Sequence, residues 1–256
     1  MWGFSFRWQC LSQHIAALVL LVAWIQLPRG SAMSDVHGGV KMGVSNHACD
    51  DAKANLTIDG DPRVSGTEAE FLCLEEESIP VRQTQTQAFC QPVGDQVCVQ
   101  NIPLHKCMDQ VITYRDSPPL SGAHRPLWPV YGEYLYLPAQ RWLHSMEHGA
   151  IVLLYHPCAD PEELAWLKSL VRGCIRRHII TPYRGLPTQQ PFALLAWRCK
   201  LSLSYADTAA VEKFIKEFGI MAAPESGVYS DGQFDVGLIS KAEIVSDVQD
   251  SNLCPQ

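Results

Sequence analysis

Histidines are the residues of this chain whose type and spacing most readily support chemistry. Four of the nine histidines fall between positions 124 and 156, namely His124, His144, His148 and His156. Imidazole is the commonest metal ligand in proteins, and its ordinary pKa of about 6.5 also suits acid–base catalysis near neutral pH. This spacing predicts either a metal site or a network of buried, hydrogen-bonded histidines.

Residues 144–148, with the sequence His-Ser-Met-Glu-His, have the H-x-x-E-H pattern of inverted zinc proteases. Positions i and i+4 share one face of a helix, so His144 and His148 are placed to bind Zn²⁺ while Glu147 activates water. The context disfavours a protease, because the helix has to end at Gly149, just before a strand begins. A hydrolase with Glu147 as its catalytic base is therefore the weaker alternative.

A metal site without proteolysis is easier to build from the same residues. A Pro-Pro-x-Ser-Gly turn carries His124, which joins His144 and His148, and Glu147 supplies an oxygen as a ligand or supports one. Three imidazoles and one oxygen suit zinc or copper. The competing interpretation needs no cofactor, because the histidines then only hydrogen-bond the backbone around an aromatic-rich turn.

Two apolar runs and two amphipathic segments must position these side chains. Residues 150–155 and 192–197 are continuous apolar runs typical of buried strands. A helix is predicted from Pro161 to His178, with Asp160 as its cap, and a second one follows Asp207 and ends at Gly219. The order strand–helix–strand–helix predicts a small α/β unit in which parallel strands are joined by a right-handed crossover.

The chain divides near residue 108. Residues 33–107 are polar, lack sustained periodicity and carry five cysteines, which predicts a loop-rich, partly disordered segment tied down by disulfides. Residues 108–235 form the predicted α/β domain with the histidines, and residues 236–256 form a polar tail. Residues 15–27 are an apolar run that is too short for a membrane span, which needs about 20 residues. That run predicts a signal peptide over residues 1–32.

Composition agrees with export. The 256 residues are 47% apolar and 18% charged, with a net charge of −7, so neither a disordered chain nor bulk electrostatic binding of nucleic acid is expected. Ten cysteines are typical of the secretory pathway, where the sequon at Asn55 is a predicted glycosylation site. No transmembrane span is predicted after the signal, because no later apolar run reaches about 18 residues.

Two of the cysteines are predicted to form a disulfide. Cys158 and Cys199 each lie just beyond a predicted strand, and adjacent parallel strands end roughly 5 Å apart. A Cys158–Cys199 bond follows if those two strands are neighbours. Cys174, on the apolar stripe of the first helix, is the predicted buried free thiol.

Three motifs together resemble an uncharacterised domain family. They are Pro-Pro-Leu-Ser-Gly-Ala-His at 118–124, Tyr-Gly-Glu-Tyr at 131–134 and His-Ser-Met-Glu-His-Gly at 144–149. Bacterial secreted or membrane-anchored proteins carry this family's P-P-x-S-G-x-H, G-x-Y and H-x-L-E-H-G signature, and the resemblance covers residues 107–223. It implies a growth-suppressing role in the genotoxic-stress response, as for a tumour suppressor, because the animal member resembled is a type I membrane protein with that role. It transfers no catalytic residue.

These observations predict a secreted or cell-surface glycoprotein with a non-enzymatic regulatory role, acting through an unidentified protein partner. The alternative is a zinc- or copper-binding protein, or a metal-dependent hydrolase, that uses His124, His144, Glu147 and His148.

Overall fold

The structure, a computed structural model, describes residues 36–37, 40–75, 78–92, 103–220 and 223–255. The predicted signal peptide lies outside these ranges. Within them, three α-helices are α1 (Ala139–Glu147), α2 (Pro161–Cys174) and α3 (Thr208–Phe218). The strands there are β1 (Val36–His37), β2 (Val40–Lys41), β3 (Gln87–Cys90), β4 (Gly132–Tyr134), β5 (Ile151–Tyr155), β6 (His178–Pro182), β7 (Phe192–Ala196), β8 (Cys199–Leu203) and β9 (Leu238–Lys241). Short 3₁₀ helices span Leu56–Ile58 and Glu68–Glu70.

Seven of these strands form one mixed sheet in the order β3-β8-β7-β5-β6-β4-β9. β4 and β5 both run parallel to β6, and every other neighbouring pair in the sheet is antiparallel. The helix α2 connects β5 to its parallel neighbour β6. The predicted α/β class is confirmed, as a sheet of mixed direction packed against helices.

The two apolar runs form neighbouring strands, but their predicted parallel direction is wrong. They are β5 and β7, which pair antiparallel, so that Tyr155 lies opposite Phe192 and Val152 opposite Leu195. Antiparallel neighbours such as these have their carboxyl ends at opposite ends of the strands. Chain direction therefore separates the residues that follow the two strands.

The parallel partner of β5 lies in a segment whose pattern predicts the end of a helix. The helix α2 begins as expected, with the Asp160 side chain accepting hydrogen bonds of 3.0 Å from the backbone N–H groups of Glu162 and Glu163. It ends at Cys174 rather than His178. The β-branched residues that follow favour an extended backbone and form β6.

Side chains alternate between the two faces of the sheet, and different elements bury each face. We define the α2/α3 face as the one where Ile151 and Leu153 pack with apolar side chains of α2 and α3. We define the α1 face as the opposite one, where Val152 and Leu154 pack with Trp142 of α1 and with residues from the long connections.

Four disulfides are present among the described residues, and they correct two predictions. The pairs are Cys49–Cys107, Cys73–Cys158, Cys90–Cys199 and Cys174–Cys254. The predicted Cys158–Cys199 bond is absent because β5 and β7 are antiparallel, which places the two cysteines at opposite ends of these strands. The predicted free thiol of Cys174 is also wrong, since Cys254 of the C-terminal segment reaches the end of α2.

The segments on either side of residues 108–235 contribute to the same sheet. β3 pairs with β8 at one edge, and β9 pairs with β4 at the other. Among the described residues, no helix is both long and apolar enough to cross a bilayer.

Candidate metal centre

The short helix α1 supplies two side chains of the site. His144 and Glu147 are three residues apart, a spacing that places both on one side of a helix. Both are fully buried. The ring nitrogen Nδ1 of His144 lies 2.5 Å from the carbonyl oxygen of Arg125, and a carbonyl oxygen can only accept, so Nδ1 donates. The neutral ring therefore keeps a lone pair on Nε2, which is the form that binds a metal.

Two chain segments that pair with each other next to α1 supply two more histidines. His105 and His124 form an isolated parallel bridge. The backbone N–H of Lys106 donates to the carbonyl of His124 at 2.9 Å, and the N–H of His124 donates to the carbonyl of Leu104 at 3.0 Å. This pairing holds two imidazoles side by side although they are distant in sequence.

The four side chains make one compact group. Their ligand atoms, from His105, His124, His144 and Glu147, all lie within 4.8 Å of one another, and all four residues are buried. The three imidazole ring centroids are 4.7 to 5.0 Å apart. We call these four residues the three-histidine group. It adjoins the core of the α1 face, since the His124 ring meets Trp197 edge-on with a centroid distance of 6.4 Å.

His124 and Glu147 are the closest pair in the group. Nε2 of His124 lies 2.8 Å from Oε2 of Glu147, while its Nδ1 lies 2.9 Å from the carbonyl oxygen of Gly122. The Gly122 carbonyl oxygen can only accept, so Nδ1 of His124 donates to it, and Nε2 shares a hydrogen bond with the Glu147 carboxylate. A metal ion between the two residues would take the place of the Nε2 proton.

Burial and neighbouring charges shift the ionisation of the group in a direction that favours ligands. Burial alone raises the pKa of Glu147, but the neighbouring imidazoles of His105 and His124 outweigh it and hold that pKa well below its usual range. Burial, reinforced by the neighbouring histidines, pushes the pKa of His144 well below its ordinary value. Glu147 is therefore a carboxylate and His144 a neutral imidazole at neutral pH, and both are the ligating forms.

Two atoms of the group lack the partners that buried polar atoms normally have. Nε2 of His144 and Oε1 of Glu147 are buried and accept no hydrogen bond from any described residue. Leaving such an atom unsatisfied costs about 1–3 kcal/mol. Both atoms carry lone pairs, so a cation is the partner that satisfies them without further protons.

His148 is near the three-histidine group but belongs to a second one. Its ring lies 4.7 Å from that of His144 between centroids, yet its Nε2 is 3.6 Å from Oε2 of Glu225. Ligand atoms of Glu147, His148 and Glu225 lie within 4.8 Å of one another. Glu147 is therefore common to both groups. His144 and His148 fall in different groups, whereas the zinc-protease pattern needs both of them on one ion.

The other predicted site residues lie elsewhere. His156 accepts a hydrogen bond on Nδ1 from the backbone N–H of Cys158 at 3.1 Å, and it is in neither group. Asn55 is exposed ahead of a 3₁₀ helix, with the left-handed φ of 56° that asparagine tolerates better than most residues.

Sequence reasoning misses His105 and Glu225. His105 lies in the segment that the pattern assigns to disulfide-tied loops, 19 residues before His124, and no local motif surrounds it. Glu225 follows α3 in a stretch without periodicity. Only the crossing of distant segments brings either residue to α1, so the sequence carries no local signal for them.

A family comparison covers this whole region. Residues 105–232 match the model of a family described as a protein of unknown function, DUF3105. The matched range includes every residue of the three-histidine group and also His148 and Glu225. No match was found among curated proteins or among solved structures.

Proposed function

Because the chain belongs to the DUF3105 family, whose function is unknown, we propose its function from the geometry of the site: the protein binds a divalent transition-metal ion. The ligands are the four side chains of the three-histidine group, His105, His124, His144 and Glu147. Zinc is the expected ion, and copper is the alternative.

The observation that carries the proposal is the buried Nε2 of His144. Its lone pair is fixed by the donation of Nδ1 to the Arg125 carbonyl, and no described residue donates to it. A histidine that serves only to hold the backbone uses its second nitrogen as well or exposes it to water. The ring that carries this nitrogen belongs to a group with two further imidazoles and a carboxylate, which is the donor set of a metal ion.

The size of the group also fits an ion. Two donors that are each about 2.1 Å from a tetrahedral zinc ion lie about 3.4 Å apart. The ligand atoms here are within 4.8 Å of one another, so they need to draw together only slightly. Four protein ligands leave a tetrahedral ion no open position, which supports stable retention of the metal rather than hydrolysis with Glu147 as a base.

Metal content tests the proposal directly. The tag-free chain with its disulfides formed is saturated with Zn²⁺, freed of excess metal and measured by elemental analysis. The substitution His144→Asn keeps a donor for the Arg125 carbonyl but removes Nε2. We expect the wild type to retain zinc and His144→Asn to lose it from this site while keeping its circular dichroism spectrum.

His47→Asn is the matched control, because this histidine is exposed and lies outside both groups. It should retain as much zinc as the wild type. A wild-type protein that retains no zinc or copper would overturn the proposal, as would zinc retained at full stoichiometry by His144→Asn.

We also propose a location and a role for the protein. The sequence resembles the tumor protein p53-inducible protein 13, which implies a secreted or cell-surface glycoprotein with a non-enzymatic, growth-suppressing role. Four disulfides support an extracellular location, and the exposure of Asn55 supports glycosylation there. Expression in animal cells tests this, since secreted protein should lose mass on N-glycosidase treatment and the Asn55→Gln variant should not.

A further inference from the structure

We propose that the protein holds a second divalent cation next to the first, with the Glu147 carboxylate bridging the two. The ligands of the second ion are Glu147, His148 and Glu225, which we call the two-carboxylate group. This inference rests on the proposed function, because the first ion occupies the three-histidine group.

The two oxygens of Glu147 differ in their contacts. Oε2 lies 2.8 Å from Nε2 of His124 and 3.8 Å from Nε2 of His105, on the side of the three-histidine group. Oε1 is buried and accepts no hydrogen bond from any residue described. A carboxylate with one oxygen engaged and the other available can bind two ions, which in two-metal sites lie about 3.5–4 Å apart.

The separation of the other two ligands suits an ion better than it suits a direct hydrogen bond. Nε2 of His148 is 3.6 Å from Oε2 of Glu225, beyond the range of a normal N–H···O bond. Two donors about 2.1 Å from one ion are expected to lie about 3.4 Å apart. The pair is thus spaced as two ligands of one cation.

The backbone around the second group is held in place without any ion. The N–H of Glu225 donates to the carbonyl of Glu147 at 3.0 Å, which ties the loop after α3 to the end of α1. The buried guanidinium of Arg177 donates to the carbonyls of His148 and Ser226, both at 2.9 Å. The ligands therefore need little rearrangement when a cation binds, which lowers the cost of binding.

The two ions would differ in access to solvent. The side chains of His124 and Glu147 are fully buried, whereas that of Glu225 is 14% exposed. The second ion has three protein ligands, so at least one coordination position stays open for water or another small ligand. The first ion is thus enclosed, and the second is the one that an exogenous oxygen ligand can reach.

Zinc stoichiometry tests the inference on the tag-free, disulfide-bonded chain. We expect two zinc ions per wild-type chain and one in Glu225→Gln, which keeps the shape of the side chain but removes its charge. Glu212→Gln is the matched control, since Glu212 lies on α3 with its side chain 41% exposed and belongs to neither group, and it should keep two. Matching circular dichroism spectra of the metal-free wild type and Glu225→Gln check that the variant still folds.

The outcomes separate the two proposals. One zinc ion in the wild type and in Glu225→Gln overturns the second site and leaves the proposed function standing, provided that His144→Asn removes that ion. No zinc in the wild type overturns both. Two zinc ions in the wild type and in Glu225→Gln alike also overturn the second site as assigned, and His148→Gln provides an independent check, because it should lower the count to one as well.

Discussion

The two faces of the sheet are buried by opposite means. On the α2/α3 face, two helices with apolar stripes pack on residues such as Ile151 and Leu153, and the helices satisfy their own backbone groups. On the α1 face, one short helix and long connections cover the sheet, and the interior there contains ionised side chains as well as apolar ones.

The charges on the α1 face substitute for missing secondary structure. Loop backbone has no hydrogen-bond ladder of its own, so its buried carbonyls need side-chain donors. Arg141 donates to the carbonyl of Leu127 at 2.8 Å and pairs with Asp50, and Arg125 donates to the carbonyl of Lys106 at 3.1 Å and pairs with Asp59. A face built in this way already tolerates buried polarity, and it is the face that holds the metal ligands.

Removing a charge from the α1 face should have the largest effect on stability. Arg141 and Asp50 are both 1% exposed and lie 2.5 Å apart, so Asp50→Ala leaves a buried guanidinium without its counterion. Breaking such a pair costs about 3–5 kcal/mol. Urea unfolding with the disulfides intact measures it, and a loss below about 1 kcal/mol would show that this face does not depend on its ion pairs.

Removing an apolar side chain from the α2/α3 face should cost less and leave the chemistry alone. Leu167 of α2 is fully buried among apolar neighbours, so Leu167→Ala should lower the free energy of unfolding by about 3 kcal/mol. The zinc content should equal that of the wild type, because no ligand lies on this face. Loss of zinc in this variant would mean that the two faces are not independent.

One histidine on the α2/α3 face makes even that face sensitive to pH. His178 is on the same side of β6 as Ile180, it donates from Nδ1 to the carbonyl of Ile175 at 2.7 Å, and burial lowers its pKa to about 4. The unfolded state binds a proton below about 6.5 while the folded state does not, so stability is full above that pH and falls between about 6.5 and 4.

The expected loss over this window is at most about 3 kcal/mol. Denaturant unfolding of wild type and His178→Gln at a series of pH values isolates it, because the other histidines contribute equally to both. The variant should show a shallower fall in stability below about pH 6.5. Parallel curves for the two proteins would contradict the assignment.

An exposed ion pair should contribute least. Lys216 and Glu212 lie 3.4 Å apart on α3 with both side chains more than 40% exposed, so Glu212→Ala should change the free energy of unfolding by no more than about 0.5 kcal/mol. The same urea titration measures it. A change comparable to that of Asp50→Ala would remove the distinction between buried and exposed charge drawn above.

Local patterns predict the α2/α3 face well and the α1 face poorly. The cap at Asp160, the stripe of α2 and the apolar run of β5 are each recorded in a few consecutive residues, and all three are present. Strand direction cannot be predicted from such local patterns. The apolar runs that form β5 and β7 would have the same sequence pattern in a parallel or an antiparallel pair.

The residues of the candidate site likewise differ in how well the sequence predicts them. His124, His144 and Glu147 lie in recognisable motifs, and the structure brings them together. His105 arrives through a bridge between distant segments, and disulfide connectivity cannot be deduced from cysteine positions. Residues that reach a site through loops instead of helices or strands leave no periodic trace in the sequence.

The disulfide between Cys49 and Cys107 links metal binding to the redox state of the chain. Cys107 lies two residues after His105, and the N–H of Met108 donates to the carbonyl of Cys49 at 2.8 Å. The bond therefore anchors the chain segment that carries the His105 ligand. In a reducing compartment that anchor is absent. Oxidation should therefore precede metal loading, and reduction of Cys49–Cys107 should weaken the retention of zinc by the three-histidine group.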